Sequence, residues 1–239
     1  MGNIKAYIIH LQRASDRWDN VSKLKDCLPV PTKVITAIDS QTLPKEIAAR
    51  HVRRQVCAPR YPFPLNVNEV ACFLSHRAAW ATLVDDNVDA GLILEDDAET
   101  TPDFEAAFDF ARLAIREGVF IRFSHRDGQE DGPPVLLDGA YQLFEPIPVG
   151  LGMVAQLVTR DAAIRLLTKT QLFDRPVDTF IQMHWITGVR PCSIRPGGIR
   201  EISSELGGSL LKQEKTLAAK LRHEVLRPIY RRKIRALSS

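Results

Sequence analysis

The sequence predicts an α/β fold: one domain with a mostly parallel central sheet flanked by helices, followed by a C-terminal basic helical tail. Three observations carry this reading. Short runs of aromatic and β-branched residues alternate with stretches of helical periodicity, the pattern of strands joined by crossover helices. The 239 residues, 45% of them hydrophobic, can bury one sizeable core, and a domain of roughly 50–250 residues accommodates them. Residues 210–239 hold nine Lys/Arg against two acids, a net +7, so the formal total of +3 leaves −4 on the preceding 209 residues. Two parts with different tasks are therefore expected, 1–209 and 210–239.

Ala6-Tyr7-Ile8-Ile9-His10-Leu11 has the composition of a buried strand, and a helix from Ser15 toward Lys25 follows it. Val34-Ile35-Thr36-Ala37-Ile38 completes a β-α-β opening that ends at Asp39. Between Leu43 and Pro64, prolines and basic residues break any period, so a surface insertion is expected. Asn66 followed by Glu69 is a capping-box pattern, in which each side chain satisfies an orphan N–H of the first helical turn. Phe73, His76, Trp80 and Leu83 then recur at helical spacing, predicting a helix from Val67 to Asp85 with one apolar face. Gly91-Leu92-Ile93-Leu94 is a compact buried strand running straight into Glu95-Asp96-Asp97. Beyond it a helix around Pro102 to Arg116, a strand at Val119 to Phe123, a loop from Asp127 to Pro134 and a strand at Met153 to Val158 are expected. Thr159 is placed to cap a helix from Arg160 to Leu167, and Arg175-Pro176-Val177-Asp178 leads a short helix reaching Trp185.

Composition excludes several classes. It is ordinary for a globular protein, and no internal repeat is visible, so global disorder and collagen-like repeats are out. The longest apolar run, Val70 to Leu74, is far short of the ~20 residues that span a bilayer, and neither a spanning helix nor a signal peptide is expected. Cys27, Cys57, Cys72 and Cys192 show no CxxC pair, which argues against a disulfide framework or zinc module and for a reducing, cytoplasmic setting. Cys72, inside the predicted helix, is expected to be a small core hydrophobe.

The acidic strand end asks for an explanation. Open α/β sheets bind ligands outside the carboxyl ends of their strands, where Glu95, Asp96 and Asp97 fall. Adjacent carboxylates repel and are costly to desolvate, so a cation is their natural neutraliser. Oxygen donors suit Mg2+ or Mn2+, which take their remaining ligands from substrate phosphates, and a diphosphate substrate is implied. The alternative is that the acids cap a following helix, whose dipole favours negative charge.

Four runs, YIIHLQRASDR (Tyr7–Arg17), NEVACFLSHRAAW (Asn68–Trp80), GLILEDDAE (Gly91–Glu99) and RPVDTF (Arg175–Phe180), together resemble glycosyltransferase family 25. These are the bacterial lipooligosaccharide galactosyltransferase-like proteins related to collagen galactosyltransferases. FLSHRAAW followed by LILEDD is the specific pair, and the resemblance runs from about Lys5 to Pro196. It implies a GT-A-like fold, a UDP-sugar donor, usually UDP-galactose, and Mn2+ or Mg2+ at the acidic motif. Asp97, with Glu95 or Asp96, would contact the metal and the UDP diphosphate. Arg13, Ser15 and Arg17 would lie near the nucleotide, Asp39 would meet uracil or ribose, and Ser75 and His76 would face the same cleft. The chain departs from the family at His10, where Asn is usual, at Ala71-Cys72, where Gly-Cys is usual, and at Gln156, where Tyr is frequent.

Inverting transfer needs a carboxylate to take the acceptor proton while charge on the departing UDP is stabilised. Asp178, following a stiffening proline at a helix start, is the chosen base, against the alternative of an ordinary cap. His184 is a candidate third metal ligand or a helix-surface histidine, and Trp185 a sugar platform or a core residue. His76 could reach phosphate or remain a core histidine; Arg13 and Arg17 are phosphate forks or ion-pair partners of Asp16 and Asp19.

In the tail, Leu217, Leu221, Val225 and Ile229 recur every four residues among Lys/Arg, predicting a basic amphipathic helix interrupted near Pro228. Each Lys/Arg near an anionic leaflet contributes about 1 kcal/mol, so peripheral binding to the cytoplasmic face of the inner membrane is expected. A plain solvated helix is the alternative. Nucleic acid is not expected, because Tyr230 is the tail's only aromatic and the body is net acidic. The sequence thus points to a metal-dependent transferase moving a hexose, galactose by resemblance, from a UDP donor to a hydroxyl of a lipooligosaccharide or related glycan. A non-catalytic relative or membrane adaptor, and a metal-dependent phosphohydrolase, are the competing readings.

Overall fold

The computed structural model describes residues 2–125, 128–207 and 217–238, and their side chains except at 217–223. The chain opens with β1 (Ile4–His10), a 3-10 turn (Ser15–Arg17), α1 (Trp18–Cys27), β2 (Thr32–Thr36) and α2 (Lys45–His51). It continues through α3 (Val67–Asp85), β3 (Ala90–Glu95), β4 (Ala98–Thr100), α4 (Phe104–Leu113) and β5 (Phe120–Phe123). Then come β6 (Pro134–Asp138), β7 (Tyr141–Phe144), β8 (Ala155–Thr159), α5 (Arg160–Lys169), α6 (Val177–Ile181) and α7 (His184–Thr187). The last elements are β9 (Pro191–Arg195), β10 (Ile199–Glu201) and α8 (Leu217–Ser238).

Eight strands form one sheet in the order β2-β1-β3-β8-β5-β9-β7-β6, and β4 pairs with β10 beside it. Parallel β2-β1-β3 and β5-β9 pairings, with β8 and β7 reversed, leave six of the eight strands pointing the same way, the mostly parallel sheet that the alternation predicted. Alternation along β1 builds two cores. Ile4, Ala6 and Ile8 face α1 and α4, whereas Tyr7 and Ile9 face α3, α5 and α6. The α3 boundary follows the capping box: Asn66 Oδ1 accepts from the Glu69 amide at 3.0 Å and Glu69 Oε2 from the Asn66 amide at 2.8 Å.

Elsewhere the structure departs from the sequence reading. The insertion after Leu43 contains α2, and the stretch from Pro134 folds as the β6–β7 hairpin. The helix after Pro176 breaks into α6 and α7 at Gln182-Met183. Helix α8 is not interrupted at Pro228 but runs through it, although an internal proline costs about 3 kcal/mol or more. Packing compensates: Tyr230, Ile234 and Ser238, on one face beyond the proline, are buried against the body. Val225 and Ile229 remain outside, 56% and 50% exposed. Lys212, Glu214 and Lys215 of the basic tail lie outside the described residues, as do the side chains of Leu217, Lys220, Leu221 and Arg222. All four cysteines are free thiols. Among the described residues no helix is long and apolar enough to cross a membrane.

Candidate active site

β1 and β3 run in parallel with Ile9 opposite Glu95, so His10 and the acidic triplet emerge together at the carboxyl edge of the sheet. A cleft of about 460 Å3 opens there. Arg13 and Arg17 line it from the segment after β1, and Cys72, Ser75 and His76 from α3. Asp178 of α6 and Tyr61 of the insertion close another side, and α8 adds Arg227, Tyr230 and Arg231.

The three acids have different surroundings. Asp96 is buried and its carboxylate is fully engaged: Oδ1 accepts from Arg17 Nη1 at 2.6 Å, and Oδ2 from the Leu11 amide at 3.3 Å and meets His10 Nδ1 at 2.9 Å. Asn20 Nδ2 donates to the carbonyls of Asp96 and Ala98, at 2.9 and 2.8 Å, and fixes the turn. Burial lowers the Arg17 pKa, but its bonds to Asp96 and Asp97 outweigh that and raise it overall, so it is a fixed cation. Glu95 is partly open to the cleft, with Oε1 3.0 Å from His76 Nε2. Asp97 Oδ2 accepts from Arg17 at 3.1 Å, while its Oδ1 is buried with no partner among the described residues. Burial, then the neighbouring Glu95, holds the Asp97 carboxyl well above the usual carboxylate range. A buried, orphaned carboxylate oxygen beside a second carboxylate fits a hard divalent cation, and Glu95 and Asp97 are the residues that would hold it. The helix-cap alternative fails, because the triplet leads into β4 and the next helix starts only at Phe104.

His184 does not join them. It packs on α7 against the end of α8, where its ring meets the backbone of Ser238, and burial, then Arg190, lowers its pKa. The histidine beside Glu95 is instead His76, and Cys72, His76 and Glu95 bring donor atoms within 4.8 Å of one another. Cys72 is therefore on the cleft wall rather than in the core, and burial, then Glu95, pushes its thiol well above the ordinary value. Ser75 uses its hydroxyl structurally, accepting from the Ile38 amide and donating to the Ala71 carbonyl, both at 2.8 Å.

Arg13 Nε donates to both oxygens of Asp39 at 3.0 Å, and the Gln41 amide, together with Arg13, lowers the Asp39 pKa. The ion-pair partner of Arg13 is thus Asp39 rather than Asp16 or Asp19, and that of Arg17 the acidic motif. Ser15 is exposed on the 3-10 turn, off the cleft wall. Gln156 is fully buried within β8, and Trp185 packs near α8. Asp178 Oδ1 accepts from the Thr179 amide at 2.6 Å, and Oδ2 from the Gly152 amide at 3.1 Å. Gly152 has φ +95°, a conformation that glycine adopts without strain and that directs this N–H at Asp178. Sequence reasoning noted His10 only as a departure from the family, with no role in the acidic site, and passed over Asn20 of α1. It also passed over Arg227, Tyr230 and Arg231 as cleft residues, for which no local signal exists.

Comparisons with known proteins bear on this arrangement. The family model described as "Glycosyltransferase family 25 (LPS biosynthesis protein)" matches residues 3–130. Procollagen galactosyltransferase 1 of Danio rerio is 31% identical over 100 residues, 41% of this chain and 17% of that protein. A glycosyltransferase 25 family member of Anopheles gambiae is 29% identical over 188 residues, 73% of this chain and 30% of that one. The chain thus spans less than a third of the length of these relatives. Among solved structures, mannose-1-phosphate geranyltransferase from Thermus thermophilus aligns with a TM-score of 0.44 and 9% identity, covering 80% of this chain and 73% of that one. With β1, α3 and the acidic end of β3 all inside the matched segment, the chain belongs to glycosyltransferase family 25.

Proposed function

We propose that the chain is a metal-dependent glycosyltransferase that moves a hexose from a UDP-sugar to a saccharide hydroxyl with inversion. Galactose is supported by relatives named procollagen galactosyltransferases, and a lipooligosaccharide or related surface glycan by the family's description as LPS biosynthesis proteins. One observation carries the reading: a buried Asp97 oxygen, without a partner among the described residues, beside Glu95 in the cleft. Mn2+ or Mg2+ held by Glu95 and Asp97 would supply charge stabilisation to the diphosphate leaving group. Arg17 orients Asp96 and Asp97 in advance, so the acidic site needs no reorganisation when it fills. The Ile38–Ser75 bond holds the segment after β2 on α3 and shapes the wall offered to the nucleotide. Asp178, aligned by the amides of Gly152 and Thr179, takes the acceptor proton as its oxygen attacks the anomeric carbon.

Thermal unfolding with UDP and Mn2+ tests the reading. Each at about 100 times its Kd should together raise stability by at least ~2.7 kcal/mol, and Asp97→Asn should abolish the joint shift. Absence of any shift in the unaltered chain sinks the proposal. Screening UDP-sugars for donor hydrolysis then identifies the sugar.

A further inference from the structure

Among the described residues, four arginines line the cleft. Arg13 is bound to Asp39, and Arg17 to Asp96 and Asp97. Arg227 and Arg231 are exposed to solvent and form no ion pair among the described residues. They stand four positions apart on α8, either side of Tyr230, and like charges at that spacing weaken a helix unless something offsets them.

The body fixes where these two arginines point. Arg175, fully buried, donates from Nη1 to Tyr230 Oη at 2.7 Å. Asp174 holds the same guanidinium at 2.6 and 3.0 Å, and the Cys57 carbonyl accepts from Nη2 at 3.0 Å. Tyr61 packs edge-on against the Tyr230 ring, with centroids 5.3 Å apart. This buried network clamps the middle of α8 to the cleft wall, with Arg227 and Arg231 before and after the clamp along the same face. Tyr61, which packs on Tyr230 between the two arginines, lines the same cleft as Asp178, Arg227 and Arg231.

We propose that α8 completes the active site, with Arg227 and Arg231 binding an anionic group, a phosphate or carboxylate, carried by the saccharide acceptor. This rests on the glycosyltransferase reading, with Asp178 on the acceptor side. Two guanidinium forks suit the planar or tetrahedral oxygens of such a group, whereas Arg13 and Arg17 already hold carboxylates. The donor diphosphate offers the same chemistry, and the test separates the two sources.

The full chain, saturated with UDP and Mn2+, is titrated calorimetrically with glucose, glucose 6-phosphate and glucuronate. A charged sugar should bind at least tenfold more tightly than glucose. In Arg227→Gln/Arg231→Gln that preference should vanish while UDP affinity stays within twofold, and in Arg227→Lys/Arg231→Lys part of it should return. No preference in the unaltered chain overturns the proposal. A preference that survives in the glutamine variant alongside a tenfold loss of UDP affinity also overturns it, and assigns the arginines to the donor. Failure of the unaltered chain to bind UDP at all defeats the glycosyltransferase reading itself, and the acceptor subsite with it.

Discussion

Asp96, Asp97 and Asp178 carry the same carboxyl group into three different situations. Asp96 has donors on both oxygens, Asp97 has one oxygen without a partner among the described residues, and Asp178 is held by two backbone amides at the cleft. A base held in this way loses its chemistry, but not its place, when it becomes an amide. Asp178→Asn is therefore expected to lower kcat by about 10^2- to 10^4-fold with the UDP-induced thermal shift retained. Single-turnover transfer beside a melting curve checks both halves, and full activity would remove Asp178 from the chemistry. The identity of the acidic triplet was legible because its residues are adjacent and end an apolar strand. The division of labour within it was not, because it depends on His10 and Arg17, 86 and 79 positions before Asp96. His184 misled for the converse reason: a late histidine resembles a ligand until α8 is seen to occupy its surroundings.

Helix α3 delivers Cys72, Ser75 and His76 to the cleft within little more than one turn, so the start of the helix fixes the register of that wall. Asn66→Ala removes the side chain that accepts from Glu69 and should cost about 1 kcal/mol, a fall in Tm of ~2–4 °C for a chain of this size. A fall of that size in a melting curve confirms the cap, and an unchanged Tm would show that tertiary packing alone sets the helix start. This element was legible to the residue because its signals are local: a capping pair and an unbroken helical stripe. The β6–β7 hairpin was not, since β6 is largely exposed at the sheet edge and lacks the alternation that marks a strand with one buried face. β9 is buried yet begins with a proline, a residue that sequence patterns count against a strand but that the first strand position tolerates.

At the scale of the whole molecule, a near-neutral total of +3 conceals a body at −4 and a tail at +7. The tail's job is not purely external, because its inner face, Tyr230 and Ile234, packs beside Met183 and its arginines reach the cleft. Deleting residues 210–239 would therefore damage the cleft as well as any membrane contact, and cannot separate the two. The outer face can be tested alone. Val225 and Ile229 are about half exposed, and Arg232 and Arg235 are exposed on the same helix, a combination of apolar and basic groups suited to an anionic leaflet. If that face docks on a membrane, Val225→Glu/Ile229→Glu should reduce sedimentation with phosphatidylglycerol-containing vesicles at physiological salt by an order of magnitude or more. Each Lys/Arg near the surface contributes about 1 kcal/mol, and inserted acids reverse that sign. The inner face is untouched by these changes, so the UDP and Mn2+ thermal shift should persist. Vesicle binding equal to that of the unaltered chain would mean that the outer face of α8 is merely solvated, and that the basic charge of the tail serves the cleft rather than a membrane.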